Sequence, residues 1–303
     1  MMISFSEKMF SILPLSEWNE HFSSRQLRHM PAVFTESTDL MSWGWLEDFL
    51  NREYARPDVF RFFKNGRPID LRRFGMIDPK GRLDRSALRP WLSQGITTIF
   101  NGLDSSSDYF WEEAVKLEQA LGAVVTIDAI GSFGTVCGLP PHYDDRDLII
   151  VQVAGRKHWK ILGTPVEAPW RKRTMSVPDT VTDEFVMEAG DMLFVPAGLY
   201  HQCVPLEPSL HLGALITRPC GADLLKMVQQ QWETTDPELA SRLYVGDGET
   251  DLQQQDARLK EALIRRVEEM DVTALTRAWL AQKQRPVRAG LLGAGKKADA
   301  GGG

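Results

Sequence analysis

Cysteine is scarce in this chain of 303 residues, which has only Cys137, Cys203 and Cys220. An odd number without paired spacing fits neither a disulfide framework nor a zinc ribbon. No window reaches about 18 uninterrupted apolar residues, so no transmembrane helix is predicted. Residues 1–22 lack a cationic stretch followed by a long apolar core, so no signal peptide is expected. These absences favour a protein of the reducing cytoplasm.

Positive charge is in slight deficit, because 35 Lys and Arg face 41 Asp and Glu, for a net charge of −6. This balance argues against a broad nucleic-acid-binding face, although it leaves room for a local basic patch. We therefore expect neither a direct nucleic-acid partner nor a membrane partner. A hydrophobic content of 43% and a charged content of 25% are ordinary for a globular protein.

The predicted secondary structure changes twice along the chain. Before Gly122 it mixes helical patterns with short strands, including a helix at "SWGWLEDFLNREY" and a hairpin that turns at Asn65-Gly66 within "VFRFFKNGRPIDL". From Gly122 to Pro219 strands alternate with turn residues, a pattern typical of an antiparallel barrel or double-sheet roll. After Cys220 the chain reads as helices, and residues 287–303 form a glycine-rich tail that is predicted to be disordered.

A first candidate site is the triplet His142-Tyr143-Asp144. In a strand, residues i and i+2 point to the same face, so His142 and Asp144 are predicted to converge while Tyr143 and Asp145 turn away. The alternative reading is a strand end with a turn-capping aspartate.

A third ligand raises the significance of that triplet. Residues 190–201, "GDMLFVPAGLYH", have the spacing G-x5-P-x-G-x2-H, which matches the second motif of cupin barrels. The Gly and Pro residues bend the chain so that His201 enters the barrel. His142, Asp144 and His201 would then form a two-histidine, one-carboxylate facial triad around Fe(II), with the other positions open. The alternative for His201 is a half-exposed histidine after a turn.

Lys157 is unusual because it is a charged residue on a strand face that is predicted to be buried. The segment 148–162 looks like a hairpin around Ala154-Gly155, and Lys157 shares a face with the apolar residues Trp159 and Ile161. A buried ammonium is costly unless an anion is close, and a bound dicarboxylate would supply one. A salt bridge to a distant carboxylate, or a side chain that extends to solvent, are the alternatives.

The stretches "PPHYDDRDLIIVQVAGRKHWKI", "AGDMLFVPAGLYHQC" and "SLHLG" together resemble the Jumonji-C-type, cupin-fold oxygenases, and within them the ribosomal-oxygenase branch. The resemblance covers residues 20–220. It implies that His142, Asp144 and His201 bind Fe(II), and that Lys157 binds the far carboxylate of the co-substrate 2-oxoglutarate. It also implies O2 as an oxidant, and Ser209 as a further co-substrate contact.

The resemblance implies a mainly β fold, a double-stranded β-helix (cupin or jelly-roll) barrel with flanking N-terminal helices and a C-terminal helical region. Residues 1–220 would form the catalytic domain and 221–286 the helical region. That region packs against the barrel or forms a homodimer interface, as in the resembled family. One departure is Ile130, which stands where the family often has a tyrosine that helps to hold 2-oxoglutarate.

The implied activity is hydroxylation of an amino-acid side chain in a protein or peptide, with release of succinate and CO2. The resemblance extends the substrate class to ribosomal proteins, but residues 221–285 are too few for both the helices and the winged-helix module that many ribosomal oxygenases carry. N-methyl demethylation at the same centre, a non-catalytic cupin-fold binding protein and a small-molecule dioxygenase or isomerase are the alternatives.

Overall fold

The structure is a computed structural model that describes residues 4–52, 59–167, 176–242 and 249–286. The chain divides into two compact units, one formed mainly by residues 1–217 and the other by Arg218–Arg285. The predicted disordered tail, 287–303, lies outside the described residues. No helix in the described ranges combines the length and apolar character needed to cross a membrane.

The first unit contains six helices and eleven strands among its described residues. The helices are α1 Phe5–Ile12, α2 Leu15–Ser24, α3 Trp43–Arg52, α4 Arg85–Leu92, α5 Leu103–Ser106 and α6 Asp108–Leu121, with a 3-10 turn at Ser37–Asp39. The strands are β1 Arg28–Met30, β2 Phe60–Lys64, β3 Arg67–Pro68, β4 Thr97–Phe100, β5 Val124–Ser132, β6 Asp147–Ala154, β7 Lys157–Leu162, β8 Val181–Met187, β9 Met192–Val195, β10 Tyr200–Pro205 and β11 Ser209–Thr217.

These strands form two antiparallel sheets. The larger has the order β1-β9-β6-β11-β5-β4-β2-β3, and the smaller has the order β10-β7-β8. Side chains of β6 alternate between two cores: Leu148 and Ile150 pack with Trp159 of the smaller sheet, whereas Ile149 and Val151 join the core that includes the helices. This double-sheet roll with flanking helices confirms the predicted fold class.

Local predictions before the barrel are confirmed. β2 and β3 form the hairpin, and Asn65 and Gly66 at its turn both have positive φ, 51° and 75°, as a tight hairpin turn requires. Helix α6 ends at Gly122, whose φ of 57° lets its N–H reach the carbonyl of Glu118. The helix predicted at 42–54 is α3, and residues 53–54 of that prediction lie outside the described residues.

The predicted hairpin over 148–162 is wrong. β6 pairs with β9 and β11 in the larger sheet, whereas β7 pairs with β8 and β10 in the smaller one. The short turn at Gly155, with φ of 64°, therefore carries the chain from one sheet to the other. The local sequence pattern, alternating apolar residues on both sides of a turn, is the same for a hairpin and for a crossing between sheets. It does not show which strands pair, because the partners of β6 and β7 are distant in sequence.

The second unit contains α7 Gly221–Thr235, α8 Pro237–Ala240, α9 Glu249–Glu268 and α10 Val272–Lys283. Asp236 caps α8 with its side chain, accepting N–H groups from Glu238 and Leu239. The same carboxylate receives Arg266 at 2.7 Å and Arg265 at 3.3 Å, which ties α9 to the start of α8. A helical C-terminal region was predicted, and the described part of the unit is helical.

Candidate metal and co-substrate site

His142, Asp144 and His201 meet at one point of the first unit. One potential ligand atom from each lies within 4.8 Å of the others, and the Nε2 of His201 is 3.6 Å from an Asp144 carboxylate oxygen. Among the described residues they are the one group of three or more His, Cys, Asp or Glu side chains so placed. Two imidazoles and a carboxylate suit a divalent transition metal. The geometry thus joins the three predicted ligands, and their metal role remains a prediction.

The backbone around the triplet holds these side chains together, although not as the strand that was expected. β6 begins only at Asp147, and His142 instead forms an isolated bridge with His201 through N–H···O bonds of 3.0 and 2.8 Å. The N–H of Gly198, in the turn before β10, donates to the carbonyl of Asp144 at 2.8 Å. The Gly-Pro-Gly frame therefore positions both parts of the triad.

Both histidines present the same ring nitrogen to the common point. The Nδ1 atoms of His142 and His201 lie 2.9 and 3.0 Å from the carbonyl oxygens of Pro140 and Leu199. A carbonyl only accepts, so each Nδ1 carries a proton, which leaves Nε2 as the ring atom of each histidine that can bind a metal. Burial lowers the pKa of His201, which further favours the neutral ring. Metal-binding histidines commonly have this outer hydrogen bond.

The residues on either side of Asp144, Tyr143 and Asp145, contact other side chains. The ring of Tyr143 packs edge-on against Tyr200 at 5.0 Å, and Asp145 lies 3.4 Å from the side chain of Arg146. Neither belongs to the His-Asp-His group. This agrees with the expectation that Asp144, and not Asp145, supplies the carboxylate.

Lys157 is buried, with 1% of its surface exposed, on the inner face of β7. Its Nζ lies 3.0 Å from the Nδ1 of His211 and 3.3 Å from the carbonyl oxygen of Ile130. No carboxylate of the described residues pairs with it. Burial lowers the pKa of Lys157 to about 8, and burial together with the Lys157 charge lowers the pKa of His211 far below its usual range. His211 is thus a neutral acceptor for the ammonium.

A cavity of about 440 Å³ joins the triad to Lys157. Its walls come from β2, β4, β5, β6, β7, β10, β11 and the loop 138–144. Trp159 lies between the two parts of the site, because its ring centroid is 5.5 Å from that of His201 and 6.1 Å from that of His211. A ligand in this cavity can therefore reach the metal-binding atoms at one end and the buried ammonium at another.

Several wall residues were missed by sequence reasoning. Asp128 and Ser132 line the cavity from β5, two residues before and after Ile130, the position that the family resemblance had already indicated. Burial raises the pKa of Asp128 to about 6, although the N–H of Gly102 donates to its carboxylate at 2.7 Å. Alternation back from Ile130 could have indicated Asp128. The contribution of Arg61 from β2 could not have been foreseen, because it depends on distant strand pairing.

Ser209 has no confirmed part in the site. It shares the parity of His211 on β11, but the cavity walls do not include it. Its Oγ is buried and has no hydrogen-bond partner among the described residues. The predicted co-substrate contact of Ser209 therefore stays a prediction. Ile130 does line the cavity, and its carbonyl oxygen contacts Lys157.

Comparisons with known proteins agree with this geometry. Residues 106–224 match the JmjC domain, a range that contains the whole triad, Lys157 and Ser209. This part of the chain is therefore similar to the JmjC domain, and the relatives that it matches include ribosomal oxygenases. It is 31% identical to ribosomal oxygenase 2 of Bos taurus over 140 residues, which cover 45% of this chain and 30% of that protein.

Two further relatives extend the comparison. The bifunctional lysine-specific demethylase and histidyl-hydroxylase NO66 of Aedes aegypti is 38% identical over 100 residues, covering 30% of this chain and 16% of that protein. The chain thus spans less than a third of the length of these curated relatives. The fold is also that of YcfD, a ribosomal oxygenase from Escherichia coli solved in complex with cobalt and 2-oxoglutarate, with a TM-score of 0.53, 15% identity, and coverage of 83% of this chain and 67% of that one.

Proposed function

We propose that this protein is an Fe(II)- and 2-oxoglutarate-dependent oxygenase that hydroxylates an amino-acid side chain of a protein or peptide. The observation that carries the proposal is one cavity with the His142–Asp144–His201 group and the buried Lys157 on its walls. Support comes from the similarity of residues 106–224 to the JmjC domain and from the relatives, which include ribosomal oxygenases and a histidyl-hydroxylase.

The donor set fits Fe(II). Two imidazoles, each with its Nδ1 bound to a carbonyl oxygen, and one carboxylate would hold the ion through three ligands and leave the other positions open. The remainder of the cavity fits 2-oxoglutarate, because Lys157 is a buried cation without a carboxylate partner among the described residues. When bound, iron, 2-oxoglutarate and O2 supply the oxidant that inserts one oxygen atom into a C–H bond, leaving succinate and CO2.

The residues of the chain contribute position and charge. The carbonyls of Pro140 and Leu199 hold the two imidazole rings in the tautomer that binds metal. Lys157, oriented by His211 and by the carbonyl of Ile130, would donate to the distal carboxylate of the co-substrate. The buried ring of Trp159 forms the part of the cavity wall that lies near both His201 and His211. Such positioning is what a protein adds to the chemistry of a bound cofactor.

The test is succinate formation from 2-oxoglutarate, combined with mass spectrometry of host proteins and peptides incubated with the enzyme. We expect Fe(II)-dependent succinate and a gain of one oxygen in a substrate peptide. His142→Ala should abolish both, whereas Tyr143→Phe, a neighbour outside the triad, should retain both. Absence of turnover with a full proteome as substrate would instead favour the non-catalytic binding protein.

A second candidate reaction is N-methyl demethylation at the same centre, which the name of the NO66 relatives supports. Hydroxylation of a carbon on nitrogen gives a product that releases formaldehyde. Formaldehyde without a gain of oxygen in the substrate would therefore identify the demethylase.

The organisation and partners of the chain also remain proposals. We propose that residues 1–220 are the catalytic domain and that residues 221–286 form a helical region that mediates a homodimer. We also propose that the substrate is a ribosomal protein and that the reaction takes place in the cytoplasm.

The homodimer is supported by apolar side chains that α9 exposes, namely Leu263, Ile264 and Val267, the last two by 58% and 55%. Exposed apolar side chains grouped on one helix are typical of a protein interface.

A further inference from the structure

One short segment reverses the charge balance of the chain. Residues 61–91 contain nine Lys and Arg against three Asp and Glu, a net charge of +6 in a chain whose total is −6. The remaining residues therefore sum to −12. The mildly acidic total thus hides a concentrated basic segment, which runs from β2 through the hairpin to α4.

The cations of this segment are available to a partner. Arg67, Arg72 and Arg73 are exposed, and no carboxylate of the described residues lies within 4.0 Å of their guanidinium groups. Asp70 is close in sequence, but its carboxylate accepts the backbone N–H groups of Arg72 and Arg73. In contrast, Arg82 is paired with Asp78. Three exposed guanidinium groups on one short segment are suited to bind phosphate groups.

Aromatic rings lie among these cations. Phe74 is 47% exposed, and its ring centroid is 4.9 Å from that of Trp91. The guanidinium of Arg73 is 5.8 Å from the centroid of Phe74, and the ammonium of Lys64 is 5.8 Å from the centroid of Trp91. Arg67 faces Lys64 across the hairpin. We call the surface formed by Lys64, Arg67, Arg72, Arg73, Phe74 and Trp91 the basic aromatic surface.

This surface lies next to the candidate site. The N–H of Gly66, at the hairpin turn, donates to the carbonyl of Gly138 at 3.0 Å, and Gly66 also packs against Pro140. The same loop leads to His142, and Arg61 and Phe63 of β2 are part of the cavity wall. A chain bound on the basic aromatic surface would therefore run beside the cavity.

We propose that the basic aromatic surface binds single-stranded RNA, through contacts of Arg67, Arg72 and Arg73 with phosphates and stacking of a base on Phe74. Cations alone would also suit an acidic peptide or an anionic membrane. Phe74 is an exposed ring beside the Arg73 guanidinium, and this arrangement favours RNA, since aromatic stacking platforms among positive charges are the common device for single strands. The placement beside the reacting substrate rests on the proposed oxygenase function, whereas the binding itself does not.

The test is fluorescence anisotropy with a labelled 20-nucleotide single-stranded RNA and the full chain, without iron or 2-oxoglutarate, over a range of salt. The triple variant Arg67→Gln, Arg72→Gln, Arg73→Gln should bind at least about tenfold more weakly. Its plot of log affinity against log salt should be shallower by about 2, because each lost phosphate contact removes roughly 0.7 from the slope. Phe74→Ala should weaken RNA binding about fivefold or more while leaving binding of inorganic polyphosphate unchanged.

The matched control removes three exposed cations from the helical unit, Lys226→Gln, Arg258→Gln and Lys283→Gln, and should stay within about twofold of wild type. Equal losses in the two triple variants, or no loss in the arginine variant, would overturn the proposal. The proposal would also be overturned if phosphatidylserine vesicles, or polyglutamate as an acidic peptide, bound this surface while RNA did not. Succinate formation by the same wild-type preparation is scored separately, so a failure of RNA binding is distinguishable from a failure of the oxygenase proposal.

Discussion

At the scale of single residues, the site combines two imidazoles with a buried cation. The outer hydrogen bonds of His142 and His201 leave the metal-binding nitrogens free, and burial keeps His201 neutral. Lys157 is the opposite case, because its ammonium is enclosed with only neutral acceptors. A charge in this position costs folding free energy, and the proposed co-substrate would offset that cost when it binds.

Replacing Lys157 by Met should therefore stabilise the protein without ligands. The pKa of Lys157 falls from 10.5 to about 8 on folding, which corresponds to a cost on the order of 3 kcal/mol at pH 7. That cost is fully present below pH 8 and diminishes as the pH rises towards 10.5. We expect a gain of about 1–3 kcal/mol in the free energy of unfolding by urea at pH 7, narrowing at pH 10. Lys160→Met, on the other face of β7, is the control and should change stability by less than about 0.5 kcal/mol. A loss of stability in Lys157→Met would contradict this account of the lysine.

The affinity for 2-oxoglutarate should depend on pH. In the protein without co-substrate, Lys157 is protonated only below about pH 8. The dicarboxylate binds the protonated, positively charged form of the side chain. We expect the apparent KM for 2-oxoglutarate to be flat below pH 8 and to rise by up to about tenfold per unit above it. In Lys157→Arg, which stays protonated, the rise should disappear. An equal rise in both proteins would assign the dependence to another group.

At the scale of elements, turns between strands decide where the site residues lie. Gly155 carries the chain from β6 in the larger sheet to β7 in the smaller one, which places Lys157 between the sheets. A Cβ at Gly155 would overlap the carbonyl oxygen of Pro208, and the φ of 64° at Gly155 is unfavourable for other residues. The turn thus depends on glycine for both reasons.

Gly155→Ala should consequently lower the free energy of unfolding much more than Gly122→Ala. Gly122 also has a positive φ, 57°, but a Cβ there would meet nothing within 4 Å. We expect Gly122→Ala to cost about 1–2 kcal/mol from backbone strain alone, and Gly155→Ala at least about 3 kcal/mol. Thermal unfolding followed by circular dichroism measures the difference, and similar melting temperatures would show that the turn at Gly155 can relax.

Some of these elements could be predicted from the sequence, because their signals are local, whereas others depend on contacts between residues distant in the chain. The period-2 pattern placed Lys157, Trp159 and Ile161 on one buried face, because alternation is a local property. The crossing at Gly155 was missed, since strand pairing depends on contacts distant in sequence. His142 and Asp144 converge as predicted, yet through a bridge to His201 and a bond from Gly198 instead of a strand. The motif spacing was informative although the assumed local structure was wrong.

At the scale of the whole molecule, charge and apolar surface are distributed unevenly. The basic segment 61–91 lies in the first unit, and the exposed apolar side chains of α9 lie in the second. Composition averaged over 303 residues conceals both features. A protein with separate surfaces for a substrate complex and for a second copy is consistent with the proposed functions.

Replacing Ile264 and Val267 by Lys should convert the proposed dimer to a monomer. Both side chains are more than half exposed, so the change should not disturb the interior of the helical unit. Size-exclusion chromatography with light scattering should give about twice the chain mass of 34.2 kDa for wild type and the chain mass for the variant. Gln253→Lys and Gln254→Lys on the same helix form the control. A wild-type protein that is monomeric at micromolar concentration would contradict the homodimer.

The central claim is that one cavity binds a metal ion and 2-oxoglutarate together. Isothermal titration of 2-oxoglutarate into the protein, without oxygen and with Co(II) in place of iron, tests it most directly. We predict binding in wild type that disappears without metal, disappears in His142→Ala, and weakens at least about tenfold in Lys157→Ala, while Tyr143→Phe binds normally. Binding of 2-oxoglutarate that is unchanged by removal of the metal or of the Lys157 side chain would contradict the account.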